Sequence, residues 1–392
     1  MNLLPVAEAQ ARLLALAPPL PIETLALVEA AGRWAAEDVV ARRTQPAADL
    51  SAMDGYAIRF ADLPGPWQMV GESRAGAGSD RAVDVGEAAR IFTGAPMPQG
   101  ADTVLIQEEA VRDADLLQLA GEGPPRQGAH VRCRGSDFFE GAALVSAGER
   151  LTAGRIAAAA MGGHGSLAVR RRPRVTLIST GDELVPPGAP AEGVMLPASN
   201  GVMLQAMIAD VADVIDAGLV PDRLDALVAA LTGHEADIIV TIGGASVGDH
   251  DLVRPALLEA GAALDFWKIA MRPGKPLFAG RLGGALVLGL PGNPMSAFVT
   301  AHLFLLPLLA HLGGARDPIP KTAPVPLDAP LPAVGQRDDY IRAIMVDGRA
   351  RPLSRQDSGA VAALTLADAL IVRPAGAHPA AVDELVDILR VA

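Results

Sequence analysis

The chain has 392 residues, half of them hydrophobic, with 33 Lys and Arg against 45 Asp and Glu, a formal charge of −12. That length calls for more than one domain and the apolar share excludes a disordered chain. The acidic balance excludes general affinity for nucleic acid or anionic membranes, so an anionic ligand must be held locally by backbone amides and a few cations.

Residues 4–16 have the period of an amphipathic helix that stops at Pro18-Pro19, and Glu8 and Arg12 interrupt the apolar core that a signal peptide would need. A second helix is predicted over 24–31 and a strand over 38–41. Asp54-Gly55 marks a turn, followed by a strand at 56–58. Short runs at 67–70, 89–92, 103–107, 116–119 and 142–145, punctuated by glycine and proline, predict a small all-β unit. Alanine-rich 151–161, closed by Gly162-Gly163, is again helical. The chain then alternates: strands over 175–179, 214–220, 237–241, 264–270 and 285–290, and helices over 199–211, 224–231, 252–260 and 295–312. That pattern predicts a parallel, doubly wound α/β sheet. The most apolar run, 301–309, is broken by Pro307 and is too short to span a bilayer. Beyond 317 the composition shifts to proline and short β-like runs at 323–325, 340–346 and 369–373.

The expected architecture is multidomain α/β plus β. It comprises a composite helical and linker domain (1–45 and 140–173), a β-rich inserted domain (46–139), a doubly wound α/β domain (174–315) and a small barrel-like C-terminal β domain (316–392). The single cysteine, Cys133, excludes an internal disulfide framework and a thiolate metal cage, and fits a reducing, cytoplasmic setting.

Candidate sites gather at predicted strand ends, where open parallel sheets bind ligands. The strand over 237–241 runs into Gly243-Gly244-Ala245-Ser246-Val247-Gly248, then Asp249 and Asp251, before a helix. Glycines let backbone N–H groups converge, and a helix N-terminus adds partial positive charge. Asp249 reads as a helix cap, and Asp251, two residues on, as the carboxylate that faces the ligand if a cation bridges to phosphate. A second loop, Pro291-Gly-Asn-Pro294 with Ser296, ends in a proline suited to a first helical turn. Thr180-Gly181-Asp182-Glu183 reads either as a pair of carboxylates for a divalent cation or ligand hydroxyls, or as a surface turn with Asp182 as a cap. Asp222 at another strand end reads as a cap or a ligand group. Lys268, Arg272 and Lys275 concentrate positive charge around a rigid Pro273-Gly-Lys-Pro276 turn, a setting for phosphate or another oxyanion. In the β-rich half, Arg132 and Arg134 flank a turn ending at Asp137; Asp54, Thr93 and Asp137 read there as turn residues. Ser246 has no evident base, and neither a P-loop nor a dinucleotide fingerprint is present.

Six motifs occur together and in order: Ser51-Ala-Met-Asp-Gly-Tyr-Ala57, Thr93-Gly-Ala-Pro96, Ser179-Thr-Gly-Asp-Glu183, Gly243-Gly-Ala-Ser-Val-Gly248, Pro273-Gly-Lys-Pro276 and Gly289-Leu-Pro-Gly-Asn-Pro294. With them the chain closely resembles, over nearly its whole length, the MoeA family of molybdopterin molybdenumtransferases, to which the C-terminal part of gephyrin also belongs. The resemblance implies an elongated four-domain homodimer whose α/β domain is similar to the molybdopterin adenylyltransferase (MogA-like) fold. It also implies Mg²⁺-dependent reaction of adenylylated molybdopterin with molybdate, releasing AMP. Residue by residue, it makes Asp54, Asp137, Glu183, Asp222 and Asp251 catalytic, and Glu183 and Asp251 the metal ligands. It assigns substrate binding to Thr93, Thr180, Gly181, Asp182, Ser199, Asn200, Gly243, Gly244, Ser246, Gly248, Lys268, Arg272, Lys275, Pro291, Gly292, Asn293, Pro294 and Ser296. Partners implied are a second copy of the chain, molybdopterin adenylyltransferase and apo-molybdoenzymes, with no nucleic acid or membrane.

Two positions depart from the family pattern. Ala198 stands where an acid often precedes Ser199-Asn200, and Arg272 stands where a lysine is usual, keeping the charge but changing its geometry. The competing readings are a molybdopterin adenylyltransferase, which lacks the β insertion and C-terminal domain, and a non-catalytic carrier of molybdenum cofactor.

Overall fold

The computed structural model describes residues 3–244, 252–274, 276–357 and 359–391. Its centre is a six-stranded sheet built from β1 (Arg174–Thr180), β2 (Asp213–Val220), β3 (Ile238–Ile242), β4 (Ala263–Lys268), β5 (Pro276–Leu282) and β6 (Ala285–Leu290), in the order β2-β1-β3-β6-β5-β4. The first four neighbours run parallel, whereas β5 is antiparallel to both β6 and β4. The expected all-parallel sheet therefore carries an antiparallel edge. Its extra strand, β5, was hidden in the sequence because Pro-Gly-Lys-Pro drew Leu277-Phe-Ala279 into an apparent loop.

These strands read as unbroken apolar runs because both faces are covered. Val175, Leu177, Ile238, Val240, Leu286 and Leu288 pack under α1 (Val6–Ala15), α2 (Ser199–Ile208) and the long helix α5 (Pro294–Leu312). Ile178, Ile239 and Val287 face the other way, toward α3 (Leu224–Thr232) and α4 (Val253–Glu259). Each fully buried leucine or isoleucine here is worth roughly 1.5–3 kcal/mol. Chain order places β2 on one side of β1 and β3 on the other, so the switch in winding direction falls between the C-terminal ends of β1 and β3.

The 301–309 run lies within α5, whose 19 residues are long and apolar enough to cross a membrane by length and composition alone. Continuity through Pro307 makes it longer, and 72% of its apolar window is buried in the chain's own core. The helix is π-helical over Ala301–Leu305, just before Pro307. Proline has no N–H for the carbonyl four residues earlier. That oxygen, on Leu303, accepts instead from Nε2 of buried Gln10 on α1 at 2.8 Å.

The segment read as a helix over 24–31 divides: its second half, Leu27–Ala30, is helical, while its start belongs to the strand Ile22–Ala26, which pairs antiparallel with Ser166–Arg170. Alternate residues of that strand are exposed, so two-residue alternation beat the helical spacing. With Val39–Val40, Ala143–Val145 and the helix Ala153–Met161 it encloses a small core of Ala30, Val39, Leu151, Ala159 and Val169. The helix α1 packs instead on the α/β core.

The inserted β unit is a six-stranded sheet ordered Thr103–Ile106, Gly55–Ile58, Glu87–Ile91, Trp67–Ser73, Leu116–Leu119 and Ala110–Asp113, around buried Trp67, Ile58 and Leu105. The C-terminal sheet contains Asp338–Val346, Ala369–Arg373, Leu385–Arg390 and Ala323–Pro326, with Arg349–Pro352 beside Asp338–Val346. Its edge strand, Met271–Arg272, belongs in sequence to the α/β domain and pairs parallel with Asp338 and Asp339. The turn before β5 is thus stitched into the C-terminal domain.

Candidate active site

Three loops meet at the C-terminal ends of β1, β3 and β6. The hydroxyl of buried Thr180, the last residue of β1, donates to Asp222 Oδ1 at the end of β2. The backbone N–H of Asp222 donates to Asp182 Oδ1 at 3.2 Å. Asp222 and Asp182 therefore form one network, whereas Glu183 folds back over Gly181, where a Cβ would meet Glu183 Oε2 at 2.6 Å. Gly243 has φ +96°, and a Cβ on it would lie 2.8 Å from the Thr180 carbonyl oxygen, so the β3 loop approaches β1 only as glycine. Gly244 follows with φ +66°.

The β6 loop closes the same crevice. A Cβ on Gly292 would sit 3.4 Å from the Gly243 Cα, and Asn200 Nδ2 donates to the Gly292 carbonyl at 2.7 Å. The buried Oδ1 of Asn200 has no partner among the described residues. Asn293 caps α5, its Oδ1 accepting from the N–H groups of Met295 (3.2 Å) and Ser296 (3.5 Å), with Pro294 in the first turn. Ser199 opens α2 after Ala198, which makes no side-chain cap. Thr180, Gly181, Asp182, Asp222, Gly243, Gly292 and Asn200 are thus brought together. The candidates Ser246, Gly248, Asp251 and Lys275, with Asp249, lie outside the described residues.

Beside this crevice a cavity of about 630 Å³ opens between the α/β and C-terminal domains. Arg272, Pro273, Gly274 and Ser296 line one side; Arg337, Asp339, Arg342 and Asp357 line the other. Burial pushes the Asp339 carboxyl up, against the opposing pull of Arg272, Arg337, Arg342 and Arg373. Arg342 is 1% exposed; it donates to the carbonyls of Arg355 and Asp357 at 3.1 and 3.2 Å, and its Nε has no partner among the described residues. Nη1 of buried Arg373 is likewise unpartnered there. The cavity lining thus carries the guanidinium groups of Arg272, Arg337 and Arg342 beside the Asp339 carboxyl, and forked donors of this kind are suited to an oxyanion. Lys268 is exposed and outside this lining.

The sequence reading missed Arg337, Asp339, Arg342 and Arg373. A usable signal was present: charged residues recur within the otherwise apolar strands Asp338–Val346 and Ala369–Arg373, and the register sets Asp339 opposite Arg373.

In the inserted domain, Asp54 Oδ1 accepts from Thr93 N–H at 2.7 Å and Thr93 Oγ1 at 2.8 Å. These two bonds, aided by the charge of Arg90, hold the Asp54 carboxyl below the usual range. Asp137 is exposed in a turn, donating its N–H to the Gln45 carbonyl at 3.1 Å, and no hydrogen bond among the described residues joins it to Asp54 or Thr93.

A switch-point crevice with glycine loops and carboxylates, open beside an arginine-lined cavity, is the arrangement of an α/β protein with room for an anionic ligand. Comparison with known proteins narrows the class. A model of the MoeA N-terminal region (domains I and II) matches residues 4–163, one of a probable molybdopterin binding domain matches 176–311, and one of the MoeA C-terminal region (domain IV) matches 324–391. The molybdopterin molybdenumtransferase of Haemophilus influenzae is 36% identical over 318 residues, 79% of this chain and 78% of that protein. The enzyme of the same name from Staphylococcus aureus strain MSSA476 is 29% identical over 404 residues, 99% and 96% of the two chains. Two crystal structures of molybdopterin biosynthesis MoeA protein from Pyrococcus horikoshii align with TM-scores of 0.83 (26% identity, all of both chains) and 0.78 (28% identity, 99% of both). The chain belongs to the MoeA family of molybdopterin molybdenumtransferases: it is a transferase of molybdenum cofactor biosynthesis.

Proposed function

We propose that this chain transfers molybdenum from molybdate into the dithiolene of adenylylated molybdopterin and releases AMP. The observation that carries this reading is the junction of crevice and cavity through the single turn Arg272–Pro273–Gly274, which puts an oxyanion receptor beside a phosphate-type loop site. The pterin phosphates suit the glycine turns after β3 and β6 at the switch point of the sheet, where the Gly243 N–H is held by the Leu290 carbonyl and those of Met295 and Ser296 by Asn293, so the loops are fixed in place around the ligand. Molybdate, a tetrahedral dianion, suits the forked donors of Arg272, Arg337 and Arg342. Soft sulfur ligands for molybdenum come from the pterin, since the protein has only exposed Cys133. Lys275 completes the cationic turn in this reading, and Ser246, Gly248, Pro291 and Ser296 complete the loops.

Mg²⁺ fits the residues present. The donors Asp182, Glu183 and Asp222 are hard oxygens, and among the described residues no group of three or more His, Cys, Asp or Glu side chains forms a protein cage. Magnesium is commonly held by one or two carboxylates, with waters and substrate phosphates completing its shell. Glu183 and Asp251 would hold it. Bound there, it would offset phosphate charge as the pyrophosphate bond breaks. Thr180 keeps Asp222 oriented, and Asn200 braces the β6 loop.

In the same reading the enzyme works as a cytoplasmic homodimer. Asp54, Thr93 and Asp137 of one inserted domain reach over the partner's crevice, and molybdopterin adenylyltransferase and apo-molybdoenzymes stand upstream and downstream. The test is AMP release from adenylylated molybdopterin by the purified chain, with and without molybdate and Mg²⁺. Release that needs both supports the transferase; tight binding without release makes the chain a carrier and refutes the proposal.

A further inference from the structure

In the inserted domain, strand Gly55–Ile58 pairs antiparallel with Glu87–Ile91, setting Tyr56 opposite Arg90. Asp54 lies just before the first strand and Thr93 two residues beyond the second, so their geometry depends on how these ends are fixed. The guanidinium carbon of Arg90 lies 5.0 Å from the ring centroids of both Tyr56 and Phe92, the latter adjacent to Thr93. Its Nη1 donates to the Gly55 carbonyl at 3.2 Å, adjacent to Asp54, and its Nη2 to Gln107 Oε1 at 2.7 Å. Gln107 in turn donates its backbone N–H to the Asp54 carbonyl at 3.2 Å. One side chain therefore grips the residue after Asp54, the residue before Thr93 and the residue that anchors the Asp54 backbone.

We propose that Arg90 is a positioning residue for the reaction, holding the hydrogen-bonded Asp54–Thr93 pair in its working geometry. This rests on the reading that Asp54 takes part in turnover. A planar fork that stacks on two rings while donating in two directions is a job lysine does poorly. Arg90 is half-buried, and the Tyr56 ring it stacks on belongs to the apolar core of the sheet, so the melting midpoint is read for every Arg90 variant alongside its kinetics.

The test is a double-mutant cycle on AMP release, reading kcat and KM for Arg90→Met, Arg90→Lys, Asp54→Asn and the combination of Asp54→Asn with Arg90→Met. Arg90→Met is expected to lower kcat by about tenfold or more while KM stays within about threefold, the pattern of an interaction expressed in the transition state. Arg90→Lys should recover only part of that rate. The double variant should be within about twofold of Asp54→Asn alone, because residues acting through one another are not additive. Should Arg90→Met fail to fold, as read by its melting midpoint, Arg90→Lys runs the same cycle. Wild-type kcat in the Arg90 variants, or losses that simply multiply, overturns the positioning role while leaving Asp54 in the reaction. Wild-type turnover by Asp54→Asn overturns the reading of Asp54, and the role of Arg90 with it.

Discussion

Replacing Thr180 by valine tests the network at the heart of the crevice. The change is nearly isosteric, and Thr180 is buried, so the methyl groups fill the same space while the donor to Asp222 Oδ1 disappears. A hydrogen bond to a charged acceptor is worth about 1.5–3 kcal/mol. Asp222 is only half-buried, so water recovers part of that, and the lower end applies. If the Asp222 orientation matters in the transition state, a loss of about 1.5 kcal/mol lowers kcat/KM for AMP release roughly tenfold. Thr180→Ser, which keeps the donor, should stay close to the parent enzyme, and the melting midpoint of Thr180→Val should fall by only a few degrees, the share of the same lost bond in the fold. Initial-rate kinetics with calorimetry on the same samples settle the point. A fully active Thr180→Val, or a Thr180→Ser as slow as the valine variant, would refute the reasoning, the latter by showing that the methyl group and not the hydroxyl matters.

Three further outcomes follow from the same geometry. Gly243→Ala forces a Cβ toward the Thr180 carbonyl in a left-handed backbone, at a cost of about 1–2 kcal/mol, and should raise KM for the pterin substrate; unchanged KM would mean this loop does not approach the ligand. Gln10→Leu leaves the Leu303 carbonyl opposite an apolar group and should cost about 1–3 kcal/mol, read as a lower melting midpoint with turnover retained. Burial pushes the His302 imidazole down to about 4, so the unfolded chain takes up its proton first as the solution is acidified. Its share of stability is complete above pH 6.5 and is lost toward pH 4, about 2 kcal/mol of it by pH 5, so His302→Phe should flatten the fall in melting midpoint between pH 7 and 5.

Much of the geometry of the candidate site was legible because its loops sit where one kind of order stops and another begins. Ile238–Ile242 is an apolar run that ends in Gly243-Gly244, and Ala285–Leu290 one that ends in Pro291-Gly292, so both strand ends and both loops could be read locally. What was missed depends on pairing between distant segments. The burial of Arg342 and the proximity of Arg272, Asp339 and Arg373 come from strand register across about a hundred residues, and no local pattern announces that. The start of the predicted helix, Thr24–Ala26, was misread for the same reason: it belongs to the strand Ile22–Ala26, whose partner, Ser166–Arg170, lies beyond the whole inserted domain. The bond between Thr180 and Asp222 was likewise invisible, although each residue was singled out, because a cap and a network member look alike in sequence.

The central claim is that AMP release and molybdenum insertion are one event in the joined crevice and cavity. A single-turnover reaction with enzyme in excess, quenched over time, allows AMP and pterin-bound molybdenum to be measured in the same samples. The account predicts that the two rise together in equal amounts and that both disappear without molybdate. AMP appearing ahead of molybdenum, or without it, would contradict the account.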